Sequence, residues 1–242
     1  MPSEEKEKAP KPSAQEAFLS LESFFFTFFL ASDLTGRTFV FSSTVWKFCV
    51  IVSAFLYVLV ELFRKGKGDR LFRRRLFLLF AMAMTLVSDL FLLVLDENYT
   101  VGVCTFVVAQ IFHALEIERS RKQAILSLSL RVAVPLVAIC ILFLCKAADP
   151  LYLAVACYAP QLIGNLLEHL LGVFQHKEKE EKRRSLILAI AFALFFECDL
   201  CVGLSNIGVT GVSIWIWIFY APSQALIAIS SGRFCHDKTE SD

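Results

Sequence analysis

Charge is scarce in this chain: only 19% of its 242 residues are Asp, Glu, Lys or Arg, against about 25% in a soluble domain. Neither sign prevails. Twenty-four basic residues meet 23 acidic ones for a formal net charge of +1, which leaves no basic field for nucleic acid. Neither a Gly-rich phosphate loop nor a G-x-S-x-G nucleophile motif occurs, so the usual phosphate cradle and serine-hydrolase elbow are excluded. The eight cysteines lie mostly inside apolar runs, where cysteine acts as a small hydrophobe, and they lack the spacing of a disulfide scaffold.

What fills the chain is apolar: 57% of residues are hydrophobic and the mean hydropathy is +0.62. A membrane-crossing helix needs ~20 such residues, because its own hydrogen bonds must satisfy the backbone groups that lipid cannot. Eight stretches qualify, near 17–34, 38–61, 76–95, 99–117, 124–145, 150–174, 185–205 and 209–230. The first carries Glu22 and is the weakest. The expected fold is an all-α polytopic bundle of about eight transmembrane helices. One helical domain, 17–230, lies between a charged tail at 1–16 and a second tail at 231–242.

Lys and Arg are retained on the cytosolic side of membranes. Twenty of them fall at the amino terminus, in the 62–75, 118–123 and 175–184 connections and in the tail, while the alternate connections hold only Arg37 and Lys146. Both termini are therefore expected in the cytosol. The location is the endoplasmic reticulum membrane in a eukaryote or the inner membrane in a bacterium.

An ionisable group inside a span costs ~2.5 to 3.5 kcal/mol at mid-helix, so each demands a reason. Asp89, Asp199, Glu197, Lys47 and Arg131 are the residues to explain. Asp89 and Asp199 each lie ~20 Å from the start of an outward-running span at 1.5 Å per residue. They therefore share a depth in the outer half, and Lys47 reaches a similar layer. Two carboxylates at one depth can act as acid and base without a metal, one kept neutral by burial and the other kept ionised by a nearby cation. Alternatively Lys47 neutralises an Asp and the polar layer fixes helix register.

A weak internal repeat places the two carboxylates together. Ser88-Asp89-Leu90 is followed by Gly102, and Cys198-Asp199-Leu200 by Gly211, as in a four-plus-four duplication. Tyr158, Gln161 and Asn165, with Tyr220 and Gln224, are candidates for head-group binding or for interhelical hydrogen bonds. Pro160 and Pro222 are expected to kink their helices. Cys198 and Cys201 share a helix face but have no nearby His, and the histidines lie away from the Asp layer. No metal site is expected.

These residues resemble the YhhN family of multi-span membrane proteins, which includes the lysoplasmalogenases. The similar blocks are SDLFLLVLDENYTVGVCTFVVAQIFHA (88–114), LFFECDLCVGLSN (194–206) and YAPSQALIAIS (220–230). Lys47 falls where the family has Lys-Pro, with Phe48 in place of the Pro. Gln110 stands where members often carry His, and His113 where an aromatic is usual. The resemblance implies hydrolysis of the vinyl ether bond of lysoplasmalogens to a fatty aldehyde and glycerophospho-ethanolamine or glycerophosphocholine. Asp89 and Asp199 carry over as the catalytic pair, without a cofactor. Lys47, Tyr99, Gln110, Tyr158, Asn165, Glu197, Asn206, Tyr220 and Gln224 are candidates for support or substrate binding, the partner being a lysophospholipid within membrane lipid.

Vinyl ether hydrolysis fits two carboxylates on chemical grounds. Protonation at carbon needs a positioned acid, and the resulting oxocarbenium ion needs negative charge and activated water. Two other readings of the same polar layer are an ion or proton relay in a transporter, channel or inactive relative, and a ceramidase-like metal hydrolase.

Overall fold

The computed structural model describes residues 13–65, 69 and 71–232. Helix α1 (Ala14–Thr35) begins at a capping box, with the Ser13 hydroxyl accepting from the Glu16 backbone and the Glu16 carboxylate accepting from that of Ser13. These contacts satisfy amide groups that a helix end leaves open. The helix stops at Gly36, whose φ of 65° is the left-handed conformation that glycine adopts without strain. It thus starts inside the expected tail, whose residues 1–12 lie outside the described residues, as do 233–242 of the carboxyl-terminal tail.

The remaining helices are α2 (Ser43–Lys65), α3 (Phe72–Asp89), α4 (Tyr99–Glu116), α5 (Arg121–Leu144), α6 (Pro150–Gln175), α7 (Lys179–Asn206) and α8 (Ser213–Ile229). Immediately after Asp89, α3 widens into a π-helical segment, Leu90–Leu95. A second capping box, Ser120 with Gln123, opens α5. Asp149 caps α6, whose first residue is Pro150, a position where the missing amide proton costs nothing. Among the described residues, seven helical stretches are long and apolar enough to cross a membrane, and α8 is a shorter apolar helix of 17 residues. The chain is a multi-pass helical bundle. Pro160 and Pro222 lie inside continuous α6 and α8.

Four helices, α1, α3, α5 and α7, start earlier than hydropathy suggested. Arg74 and Arg75 belong to α3, and Arg184 belongs to α7; all three are buried. Their charges are met by carboxylates, so they extend the helices rather than the connections. Arg74 reaches Glu181 at 2.7 Å and Glu118 at 3.0 Å; Arg75 meets Asp69 at 2.6 Å and donates to the Ser231 carbonyl. Arg184 faces Glu116 at 3.8 Å. This layer marks the basic end of the bundle.

Helix neighbours follow the four-plus-four reading. The pairs α1–α2, α2–α3 and α3–α4 recur as α5–α6, α6–α7 and α7–α8, and α2–α8 recurs as α6–α4. Each half contributes four helices, an even number, as a parallel repeat requires. The halves differ at the outermost helix: α1 packs on α2 and also on α8, whereas α5 leans on α6. The core between the halves holds Val50, Ile51, Leu78, Leu162, Phe192 and Phe195.

Candidate active site

Asp89 closes α3 where the helix widens, and π-helical turns often occur at functional positions because they re-aim the side chains beside them. Two neighbours fix this turn. The Ser88 hydroxyl donates to the Gly102 carbonyl at 2.6 Å, joining α3 to α4. A Cβ on Gly102 would stand 2.6 Å from the Leu92 side chain, so any larger residue would force Leu92 of the π segment to shift. Gly211, its counterpart in the sequence repeat, instead occupies a turn with φ of 81° and has open space around it. The repeat therefore preserves the aspartate and not the role of the glycine.

The Asp89 carboxylate is buried, and its Oδ2 accepts a hydrogen bond from the Tyr220 hydroxyl of α8 at 2.6 Å. Asp199, near the end of α7, is half-buried, and its Oδ2 accepts from the Tyr158 hydroxyl of α6 at 2.6 Å. Both tyrosines are buried. The two carboxylates lie within electrostatic reach of each other. Aromatic rings join the pairs: Phe106 contacts the Tyr158 ring at 5.7 Å and that of Phe195 at 5.7 Å, and Phe195 meets Tyr220 at 5.3 Å. Two Tyr–Asp pairs drawn from four helices thus share one apolar, aromatic setting.

Lys47 is placed differently from the expectation that it would pair with one of these aspartates. Its ammonium meets Asp33 of α1 at 2.7 Å and lies 5.3 Å from the Trp217 ring and 5.9 Å from that of Phe29. Trp217 in turn contacts Tyr220 at 5.3 Å, so Lys47 borders the site through an aromatic ring. Asp33 had no place in the sequence reading because an acid at the end of a span costs little. It also accepts from the Ser43 hydroxyl.

Other candidates fall into three groups. Glu197, Asn206 and Tyr99 are exposed, and the Tyr99 hydroxyl donates to Asp96. Gln110 and Asn165 are buried in a separate network: the Asn165 amide donates to the Gln110 side chain at 2.8 Å, and Arg131 donates to Asn165 at 2.8 Å and to Gln161 at 3.1 Å. Gln224 is fully buried on α8, one helical turn beyond Tyr220. His113 and His169 flank the Phe192 ring, at 5.2 and 5.4 Å. Among the described residues, no group of three or more His, Cys, Asp or Glu side chains is placed to hold a metal ion.

One buried polar contact escaped the sequence reading altogether. Glu22, noted only as a blemish in the first span, accepts a hydrogen bond from Ser53 of α2. The signal was there: an acid in an apolar run needs a partner on a neighbouring helix.

No curated protein and no solved structure matches the chain. The model of the YhhN family matches residues 42–231, a stretch that begins just before α2 and ends beyond α8, and contains both Tyr–Asp pairs. This chain belongs to the YhhN family.

Proposed function

We propose that this protein is a lysoplasmalogenase-like hydrolase that cleaves the vinyl ether bond of a lysophospholipid by acid-base catalysis at Asp89 and Asp199. The observation that carries this reading is the pair of Tyr–Asp contacts at 2.6 Å, a part-buried one between α6 and α7 within the second half and a buried one that joins α8 to α3 across the two halves. Family membership supports the same reaction class. Each tyrosine binds Oδ2, so the carboxyl is oriented while Oδ1 remains for substrate or water.

The reaction needs two functions at one place. A protonated carboxyl donates its proton to the alkenyl carbon remote from the ether oxygen, and the adjacent carbon becomes an oxocarbenium ion. The second carboxylate faces that positive charge and takes a proton from the water that adds to it. The resulting hemiacetal collapses: the bond to the glycerol oxygen breaks, that oxygen regains a proton, and the fatty aldehyde leaves. One water is consumed overall, with no change of oxidation state. A water-poor, aromatic surround strengthens the electrostatic contribution of both carboxyl groups.

By the positive-inside rule the basic end faces the cytosol, and the Tyr–Asp layer lies in the opposite half of the membrane. Asp89→Asn and Asp199→Asn preserve side-chain size and remove proton transfer. In folded protein each should lower aldehyde release by ~10²- to 10⁴-fold. The double variant should be little worse than the worse single, since groups acting as a unit are not additive. Near-wild-type release by either single variant would remove that aspartate from the mechanism.

A further inference from the structure

Helix α5 is the least enclosed part of the bundle, with Arg131 and Pro135 as its buried residues. Between it and α6 lies a cavity of about 470 Å³, inside the ~300–1,000 Å³ range of small-molecule sites. Its walls are apolar, formed by Leu126, Leu130, Val134, Ile163 and Leu167. Its mouth at the basic end is polar, with Arg119, Gln123 and His176. From Gln123 to Val134 the trough runs ~16 Å at 1.5 Å per residue, close to the hydrocarbon depth of one leaflet in a ~30 Å core.

The polar end is built rather than incidental. Arg131 is 9% exposed and donates to the Gln161 carbonyl and to the Asn165 side chain. Its guanidinium lies against Gly164, where an added Cβ would come within 3.0 Å of Cζ. Arg131 meets Glu168 at 3.2 Å, and Arg119 pairs with the same carboxylate. Glu118, also on the rim, is taken by Arg74 at 3.0 Å. Two guanidinium groups therefore share Glu168 where the trough meets its polar mouth, while Glu118 on the rim shares Arg74 with Glu181.

We propose that this groove holds a phospholipid from the leaflet at the basic end, with its phosphate at Arg119 and one chain lying between α5 and α6. The site is separate from the aspartate pair. In a lysophospholipid the vinyl ether lies next to the phosphoglycerol, so a phosphate at this mouth keeps that bond away from the catalytic layer. Tyr158, which holds Asp199, is 18 residues or ~27 Å along α6 from His176. That separation rests on the function proposed above; the lipid site itself does not. The bound lipid supplies the packing that α5 lacks and that α1 obtains from α8.

The test uses the full chain in phosphatidylcholine nanodiscs containing a phosphatidylglycerol with a photoactivatable acyl chain, followed by peptide mapping. Label should concentrate on residues 123–134 and 159–171. Leu130→Trp, which fills the trough, should lose that label, and Arg119→Gln should lose the preference for phosphatidylglycerol over a phosphatidylcholine probe. Asp89→Asn should keep the label. Labelling spread evenly over the lipid-facing surfaces of α1 and α5, or unchanged in Leu130→Trp, would overturn the site. Loss of label in Asp89→Asn would overturn its separateness from the catalytic pair.

Discussion

The bundle buries charge in two layers that are built in opposite ways. At the basic end each buried arginine meets an acid: Arg74 with Glu181 and Glu118, Arg75 with Asp69, and Arg184 with Glu116. In the other layer Asp89 and Asp199 accept hydrogen bonds from neutral tyrosines, and the nearby cation Lys47 is engaged with Asp33. Paired charges hold helices together, and removing one partner strands the other. Carboxyl groups held by neutral donors can still gain and lose a proton. The contrast separates buried charge that serves assembly from buried charge that can serve chemistry.

Substitutions can break that contrast, beginning with the largest effect. Asp89→Asn and Asp199→Asn should each remove ~10²- to 10⁴-fold of turnover while thermal unfolding in detergent changes little. Parallel losses of stability and activity would assign the outer layer to assembly as well. Arg75→Met should do the reverse. It breaks the ion pair with Asp69 and removes the donor to the Ser231 carbonyl, at a cost of about 3–5 kcal/mol in stability, read as a lower denaturation midpoint; an unchanged midpoint would contradict the structural role.

Tyr220→Phe and Tyr158→Phe should fall between these extremes. Each removes one hydrogen bond to a carboxyl group, worth about 1.5 kcal/mol or roughly tenfold in kcat/KM. Unaltered kinetics in both would show that the tyrosines merely pack. Lys47→Met should have the smallest effect. Its ion pair with Asp33 is partly exposed, so stability should fall by about 1 kcal/mol and turnover by less than the tyrosine variants. A loss as large as that of Asp89→Asn would mean that Lys47 acts directly on the site.

Much of the fold was legible because each span must be apolar along its whole length, which spaces the helices clearly in the sequence. The early starts of α3 and α7 were hidden, since Arg74, Arg75 and Arg184 look like loop residues until their carboxylate partners are seen. Asp89 and Asp199 stood out because a lone acid in a span is costly. Tyr158 and Tyr220 were visible as polar residues, yet their partners were not. Tyr220 meets Asp89 across 131 positions of sequence, a pairing fixed only by which helices adjoin. The exposure of Glu197, two residues before Asp199, likewise depends on which helix face turns inward. Hydropathy alone does not define that face on a helix apolar all round.

The most direct test of the proposed chemistry is hydrolysis of a purified lysoplasmalogen in deuterated water, with mass spectrometry of the aldehyde. Protonation at carbon places one solvent-derived deuterium on the carbon next to the aldehyde carbonyl, and Asp89→Asn and Asp199→Asn should suppress that product. Release of aldehyde without the deuterium, or no aldehyde from folded wild-type protein, would contradict acid-catalysed vinyl ether cleavage by this pair.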